Sequence, residues 1–227
     1  MIVFVISGGD LNKQFTRDFI DKTKEEDSLI VACDKGLESC LKMELVPDLV
    51  IGDFDSVDEA AFYELPEAIE IIKLNPIKDD TDTEAALRLV FERTTYYDCI
   101  YLLGATGRRI DHLLGNVSLL GLGLKNDRMI IMVDEYNYIQ MLGPKETLEL
   151  DKEGQYGQFG KYVSVFPYGG KATGVLMEGF KYPLKRATLE GFNTLTVSNE
   201  ITSDVAHIYA DTGYLIVCET RDSFNAD

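Results

Sequence analysis

Residues 52–56 read Gly-Asp-Phe-Asp-Ser and follow the apolar run Leu49-Val50-Ile51. In an extended backbone, side chains two apart point to the same side. Asp53 and Asp55 are then expected to aim their carboxylates one way, with Phe54 turned into the core. Two adjacent carboxylates repel unless a cation lies between them. A magnesium ion carrying a polyphosphate is the chemistry that uses such a pair in a nucleotide enzyme. The same pentapeptide also reads as a turn between strand and helix, where Asp and Gly are common.

Four further clusters carry polar chemistry. Ser7-Gly8-Gly9-Asp10 has glycines that would let backbone N–H groups approach phosphate, although it lacks the G-x-G-x-x-G spacing of a dinucleotide site. Cys33-Asp34-Lys35-Gly36 offers Asp34 either as a helix cap or as a nucleotide contact. Lys78-Asp79-Asp80-Thr81-Asp82-Thr83-Glu84 concentrates aspartates that need a compensating cation, with Lys78 or a metal as candidates. Gly104-Ala-Thr-Gly107-Arg108-Arg109-Ile110-Asp111-His112 is a glycine-bearing loop with two arginines, a plausible phosphate cradle that supplies the positive charge the acidic clusters lack.

The elements that must position these clusters alternate in type. Ile2–Ile6, Leu29–Cys33, residues 49–51, residues 69–74, Cys99–Leu103 and Met129–Val133 are short apolar runs of the kind buried parallel strands use. Residues 14–24 suit a helix with Phe15, Phe19 and Ile20 on one side, and residues 35–42 suit a second. Thr81 and Glu84 have capping-box spacing ahead of a helix running to about Arg93. Ile110–Lys125 reads as a helix although Gly115, Gly121 and Gly123 each weaken it by ~1 kcal/mol relative to Ala. Every cluster thus falls just after an expected strand, on the edge where open parallel sheets bind ligands.

After about residue 142 the pattern changes. Residues 163–166, 175–177, 187–189, 195–197, 206–210 and 214–218 are short runs split by Gly, Pro, Asn and Asp, with no convincing helix. The expected fold is therefore an open, Rossmann-like parallel-sheet α/β domain over 1–142, followed by a small all-β sandwich or barrel over 143–227. No low-complexity linker or internal repeat separates them.

Composition narrows the function class. The net charge of −17 disfavours nucleic acid and anionic membrane surfaces as partners. No stretch approaches the ~18–20 apolar residues of a membrane span, and the first residues read as a buried strand rather than a signal peptide. Four cysteines, none in a C-x-x-C pair, and two histidines argue against a Cys/His zinc site. Cys33, Cys99 and Cys218 sit in apolar runs as reduced core thiols do, which points to a cytoplasmic setting.

Gly-Asp-Phe-Asp-Ser, Lys-Asp-Asp-Thr-Asp and Gly-Ala-Thr-Gly-Arg-Arg-Ile-Asp-His, in this order and at these spacings, resemble the motifs of bacterial thiamine pyrophosphokinases (thiamine diphosphokinases). The second half agrees: Phe180-Lys181-Tyr182-Pro183-Leu184, then Thr188-Leu189, then Val197-Ser198-Asn199-Glu200 are similar to that family's C-terminal β domain. The resemblance implies transfer of the pyrophosphoryl group of ATP to the hydroxyethyl oxygen of thiamine, with magnesium, releasing AMP. It implies a homodimer with thiamine between the αβ domain of one subunit and the β domain of the other. By the same resemblance Asp53, Asp55 and Asp82 would hold magnesium and phosphates. Lys78, Thr81 and Arg109 would contact the polyphosphate, Asp111 would complete the polar floor, Asp34 would lie in the nucleotide region, and Ser198 and Asn199 would meet thiamine. Asp55 and Asp82 are both candidates to accept the hydroxyl proton.

This chain departs from the family pattern where Lys35 and Arg108 stand in place of glycines, and their roles stay open. Two other readings compete. A similar acidic apparatus could pyrophosphorylate a hydroxymethylpterin, and a nucleotide-binding module could lack catalysis altogether.

Overall fold

Complete burial of a five-residue apolar run sets the first sheet. Ile2–Ile6 (β1) is buried at every position, as a strand covered on both faces must be. The computed structural model describes residues 1–55, 57–58, 60–63, 65–75, 79–107, 109–152 and 158–223. These fall into two compact units, Met1–Glu135 and Tyr136–Asp227.

In the first unit β1 is followed by α1 (Lys13–Thr23), β2 (Leu29–Cys33), α2 (Gly36–Lys42), β3 (Leu49–Gly52), the short α3 (Ala60–Tyr63), β4 (Glu70–Lys73), α4 (Asp82–Arg93), β5 (Cys99–Leu103), α5 (Ile110–Lys125) and β6 (Met129–Val133). The strands lie in the order β4-β3-β2-β1-β5-β6, and every pairing is parallel. The chain runs outward from β1 to β4, then returns to β5 on the other side of β1. That reversal makes a topological switch point between β1 and β5, where ligands bind beyond the carboxyl ends of the strands.

Local chemistry explains the helices. Asn12 caps α1 by accepting from Phe15 N at 3.1 Å. Phe15 and Ile20 are buried, and Phe19 stands edge-on to Tyr101 with ring centroids 5.0 Å apart. Thr81 caps α4 by accepting from Glu84 N at 3.2 Å. The carboxylate of Glu84 goes to Arg88 at 2.6 Å, so its side of the expected capping box is directed along the helix. Arg128 closes the other end of α4, donating to the carbonyls of Phe91 and Thr94.

The second unit contains β7 (Asn137–Leu142), β8 (Thr147–Asp151), β9 (Tyr162–Glu178), β10 (Leu184–Leu189), β11 (Val205–Tyr209) and β12 (Thr212–Thr220), and no helix among its described residues. All its pairings are antiparallel, in the order β7-β12-β9-β11-β8 with β10 on β9. Val163, Val165, Val175, Met177, Ala206, Ile208, Leu215 and Val217 form its fully buried centre. Glu219 shares the inward face of β12 with Leu215 and Val217 and accepts from Phe159 N at 3.1 Å.

Three sequence expectations change here. The units divide at 135/136 rather than 142/143, because residues 137–142 are a strand in register with β12. The runs at 163–166 and 175–177 belong to one strand, β9, which carries Pro167 and glycines at positive φ (69°, 144° and 65° at Gly169, Gly170 and Gly174) within it. Residues 195–197 are a turn, closed by Val197 N donating to Thr194 O at 3.2 Å. Their apolar–polar–apolar alternation is inverted: Thr196 is buried and bonded to Val165 O, while Leu195 and Val197 are 62% and 42% exposed.

Candidate active site

The carboxyl edge of the parallel sheet is laced together by backbone. Ser7 N donates to Leu103 O at 2.8 Å and Gly9 N to Gly104 O at 3.0 Å, joining the loops after β1 and β5. A Cβ on Gly9 would strike Gly104 O, and one on Gly36 would strike Ile6 O. Only hydrogen fits at those two crossings. The hydroxyls of Ser7 and Thr83, both buried, are 2.8 Å apart and tie the start of α4 to the loop after β1.

Asp34 leaves β2 at φ 46°, a left-handed conformation uncommon for a residue with a side chain. Its N–H donates to Ile51 O at 2.9 Å, which holds it beside the end of β3. From β3 the chain turns at Phe54, with φ 62°, and Asp55 N donates to Asp53 Oδ1 at 3.1 Å. One carboxylate oxygen from each of Asp34, Asp53 and Asp55 lies within 4.8 Å of the others.

The pair therefore converges by a turn and not by strand alternation. β3 ends at Gly52, and Phe54 is half-buried, edge-on to Phe62 at 5.0 Å. Asp34 is the third carboxylate of this group, and Asp82 is not within it. Asp82 is the first residue of α4, half-buried, beside the Ser7–Thr83 hydroxyl pair. Three hard oxygen donors at this spacing repel one another when empty and match the ligand preference of magnesium or calcium.

Positive charge comes from the loop before α5. Arg109 faces Asp111 with both prongs of its guanidinium, Nε to Oδ1 at 3.1 Å and Nη2 to Oδ2 at 2.5 Å. These hydrogen bonds hold the Asp111 carboxyl below its usual range and raise the Arg109 guanidinium above its own. Both side chains are exposed, and a phosphate group matches the same fork. Asn116, buried on α5, donates to Ala105 O at 2.9 Å and steadies this loop. It was not singled out in the sequence, because a lone Asn in a helix gives no signal of what it braces. The Thr81 hydroxyl accepts from Glu84 N and keeps its proton to donate outward. Ser56, Lys78 and Arg108 lie outside the described residues.

In the second unit Ser198 is exposed, with φ 56°, and its N–H donates to Ser164 Oγ at 2.9 Å. Asn199 is only 3% exposed. Its Oδ1 accepts from Tyr182 N and Glu200 N, both at 3.0 Å, and its Nδ2 donates to Tyr182 O at 2.8 Å. Its backbone exchanges hydrogen bonds with Val163. Asn199 is thus a brace that holds Ser198 and the 62%-exposed Tyr182 in place.

Two family models match the chain: the catalytic domain of thiamin pyrophosphokinase over residues 20–132, and the vitamin B1 binding domain of thiamin pyrophosphokinase over residues 145–215. A curated thiamine pyrophosphokinase of Bacillus subtilis (strain 168) is 31% identical over 219 residues, covering 96% of this chain and 98% of the relative. The crystal structure of thiamine pyrophosphokinase from Bacillus subtilis superposes with a TM-score of 0.85 at 28% identity, over 98% of this chain and 100% of that one. The thiamin pyrophosphokinase of Geobacillus thermodenitrificans gives 0.80 at 32% identity, over 98% and 99%.

Proposed function

The chain belongs to the thiamin pyrophosphokinase family, and from that premise we propose how its residues move a pyrophosphoryl group from ATP to thiamine. The observation that carries the reading is the convergence of Asp34, Asp53 and Asp55 on the edge of the parallel sheet that carries the phosphate-compatible loops. Phosphoryl chemistry asks mainly for positioning and charge neutralisation.

The donor set fits a hard divalent cation. A magnesium ion held by Asp34, Asp53 and Asp55 would draw charge from the phosphate oxygens and fix their orientation. Arg109 exchanges its hold on Asp111 for the phosphate chain, and Asp111 then lines the polar floor. Thr81 donates its hydroxyl proton to a phosphate oxygen, and Lys78 adds charge there by family resemblance. Asp82, outside the carboxylate trio, accepts the proton of the thiamine hydroxyl. That oxygen bonds to the β-phosphorus in line, the bond from this phosphorus to the oxygen bridging the α-phosphate breaks, and AMP leaves.

The first unit acts as an open, Rossmann-like ATP- and magnesium-binding catalytic domain, and the second as a β-sandwich that receives thiamine. Ser198 and Tyr182 meet the vitamin, and Asn199 holds both. The enzyme works as a homodimer with thiamine between the first unit of one subunit and the second unit of the other. Its setting is cytoplasmic, in keeping with four free cysteines. No described helix is long and apolar enough to cross a membrane.

A hydroxymethylpterin acceptor is not favoured, because the second half matches a vitamin B1 binding model. The test is to incubate the protein with ATP and magnesium, adding thiamine or a hydroxymethylpterin, and to identify the products. Thiamine diphosphate and AMP are expected. Nucleotide binding without AMP release, or product only from the pterin, would overturn the reading.

A further inference from the structure

Lys35 stands at the crossing of two loops on the carboxyl edge and has no part in the chemistry above. It follows Asp34 directly and adopts a helical conformation, with φ −57° and ψ −14°, at the entry to α2. Its Cβ lies 3.2 Å from where a side chain on Gly8 would begin, so its base is packed against the loop after β1. The side chain is exposed. Among the described residues no carboxylate comes within the 4.0 Å of an ion pair with its ammonium. Other cations of the first unit are engaged: Arg109 with Asp111, Arg88 with Glu84 and Asp80, and Lys42 with Glu38.

Lys35 is the next residue after Asp34, one of three clustered carboxylates. A lysine anchored at its base, whose ammonium no described carboxylate holds, suits an anion bound at that cluster. We propose that Lys35 contacts the phosphate chain of the nucleotide and sets the affinity for ATP without setting the rate of transfer. This rests on the ATP site assigned above. A lysine is a compact charge on a flexible stem and does not demand one geometry of its partner. A contact made equally with the ground state and the transition state changes KM and leaves kcat alone. In a chain of net charge −17, such a cation offsets the repulsion that an incoming polyphosphate meets.

The experiment is calorimetric binding of magnesium-ATP without thiamine, followed by steady-state kinetics, on the wild type, Lys35→Met, Lys35→Arg and Lys42→Met. Lys42→Met removes the same charge from the far end of the same helix. Lys35→Met is expected to bind ATP about tenfold more weakly, as loss of one charge-assisted hydrogen bond implies. Its KM for ATP rises in step, while kcat, the KM for thiamine and the melting temperature stay at wild-type values. Lys35→Arg retains most of the affinity, and Lys42→Met matches the wild type. Lys35→Met binding like the wild type would overturn the role of Lys35 alone, as would equal weakening in Lys35→Met and Lys42→Met. A wild-type protein that binds no ATP would overturn the site assignment and the role of Lys35 with it.

Discussion

Replacing Glu219 with glutamine should make the protein more stable at pH 8 and leave it nearly unchanged at pH 4.5. Glu219 is buried on the inward face of β12, beside Leu215 and Val217, with one hydrogen bond from Phe159 N. Burial pushes its carboxyl up from 4.5 to about 7, and the hydrogen bond only partly opposes this. Below 4.5 the group is protonated in both folded and unfolded chains and costs nothing. As pH rises from 4.5 to about 7, the unfolded chain releases the proton and the native protein keeps it. Stability is therefore lost across that window and stays lower above it. At about 1.4 kcal/mol for each tenfold change in proton affinity, the loss is ~3 kcal/mol. Glutamine still accepts from Phe159 N and has no proton to lose. Urea unfolding of both proteins between pH 4.5 and 8 measures the difference directly, since other carboxylates contribute alike to each. A difference in unfolding free energy that stays flat across this range would refute the argument that burial governs Glu219.

Three further outcomes are expected. Asp34→Asn and Asp55→Asn should fold normally but need at least about tenfold more magnesium for half-maximal AMP release, since each removes one of three clustered carboxylates; a wild-type magnesium titration in both would sink the trio as the metal site. Asn199→Ala should lower stability by about 2 kcal/mol by stranding the backbone of Tyr182 and Glu200, and raise the KM for thiamine, whereas Ser198→Ala should raise that KM with no change in melting temperature. Arg128→Met should cost about 2 kcal/mol in thermal unfolding through the lost contacts to Phe91 O and Thr94 O, with kcat unaffected.

Much of the first unit was legible because its signals are local. Buried five-residue strands, the Thr81 cap and glycine-bearing loops after strands all read directly from neighbouring residues. The convergence of Asp53 and Asp55 was legible, but not its cause: it comes from the left-handed turn at Phe54 and not from strand alternation, and a phenylalanine gives no warning of positive φ. Asp34 joins them through the pairing of β2 with β3, a contact between residues distant in sequence. In the second unit Pro167 and the glycines after it read as a break, yet β9 continues through them because its neighbours β12 and β10 supply the pairing. Thr196 illustrates the opposite failure. Its flanking Leu195 and Val197 suggested a strand, while a buried hydroxyl bonded to Val165 O holds a turn. Asn199 stands in the motif that the resemblance assigns to thiamine, and nothing in that motif reveals its burial or its hydrogen bonds to Tyr182 and Glu200.

The length of β9 has a consequence for how the second unit comes apart. Residues 162–168 and Thr173 of this strand pair with β12, and residues 172–178 with β10 and β11. No seam separates the two sets of pairings, since one backbone belongs to both. Opening either set strips hydrogen bonds from a strand that the other still needs, so the unit should exchange its amide protons as one cooperative block and not in halves. The turn that presents Ser198 is bonded to Val163 and Val165 of this same strand. Slow, uniform exchange along β9 would then extend to that turn, making it a rigid fixture of the fold even though it has the composition of a loop.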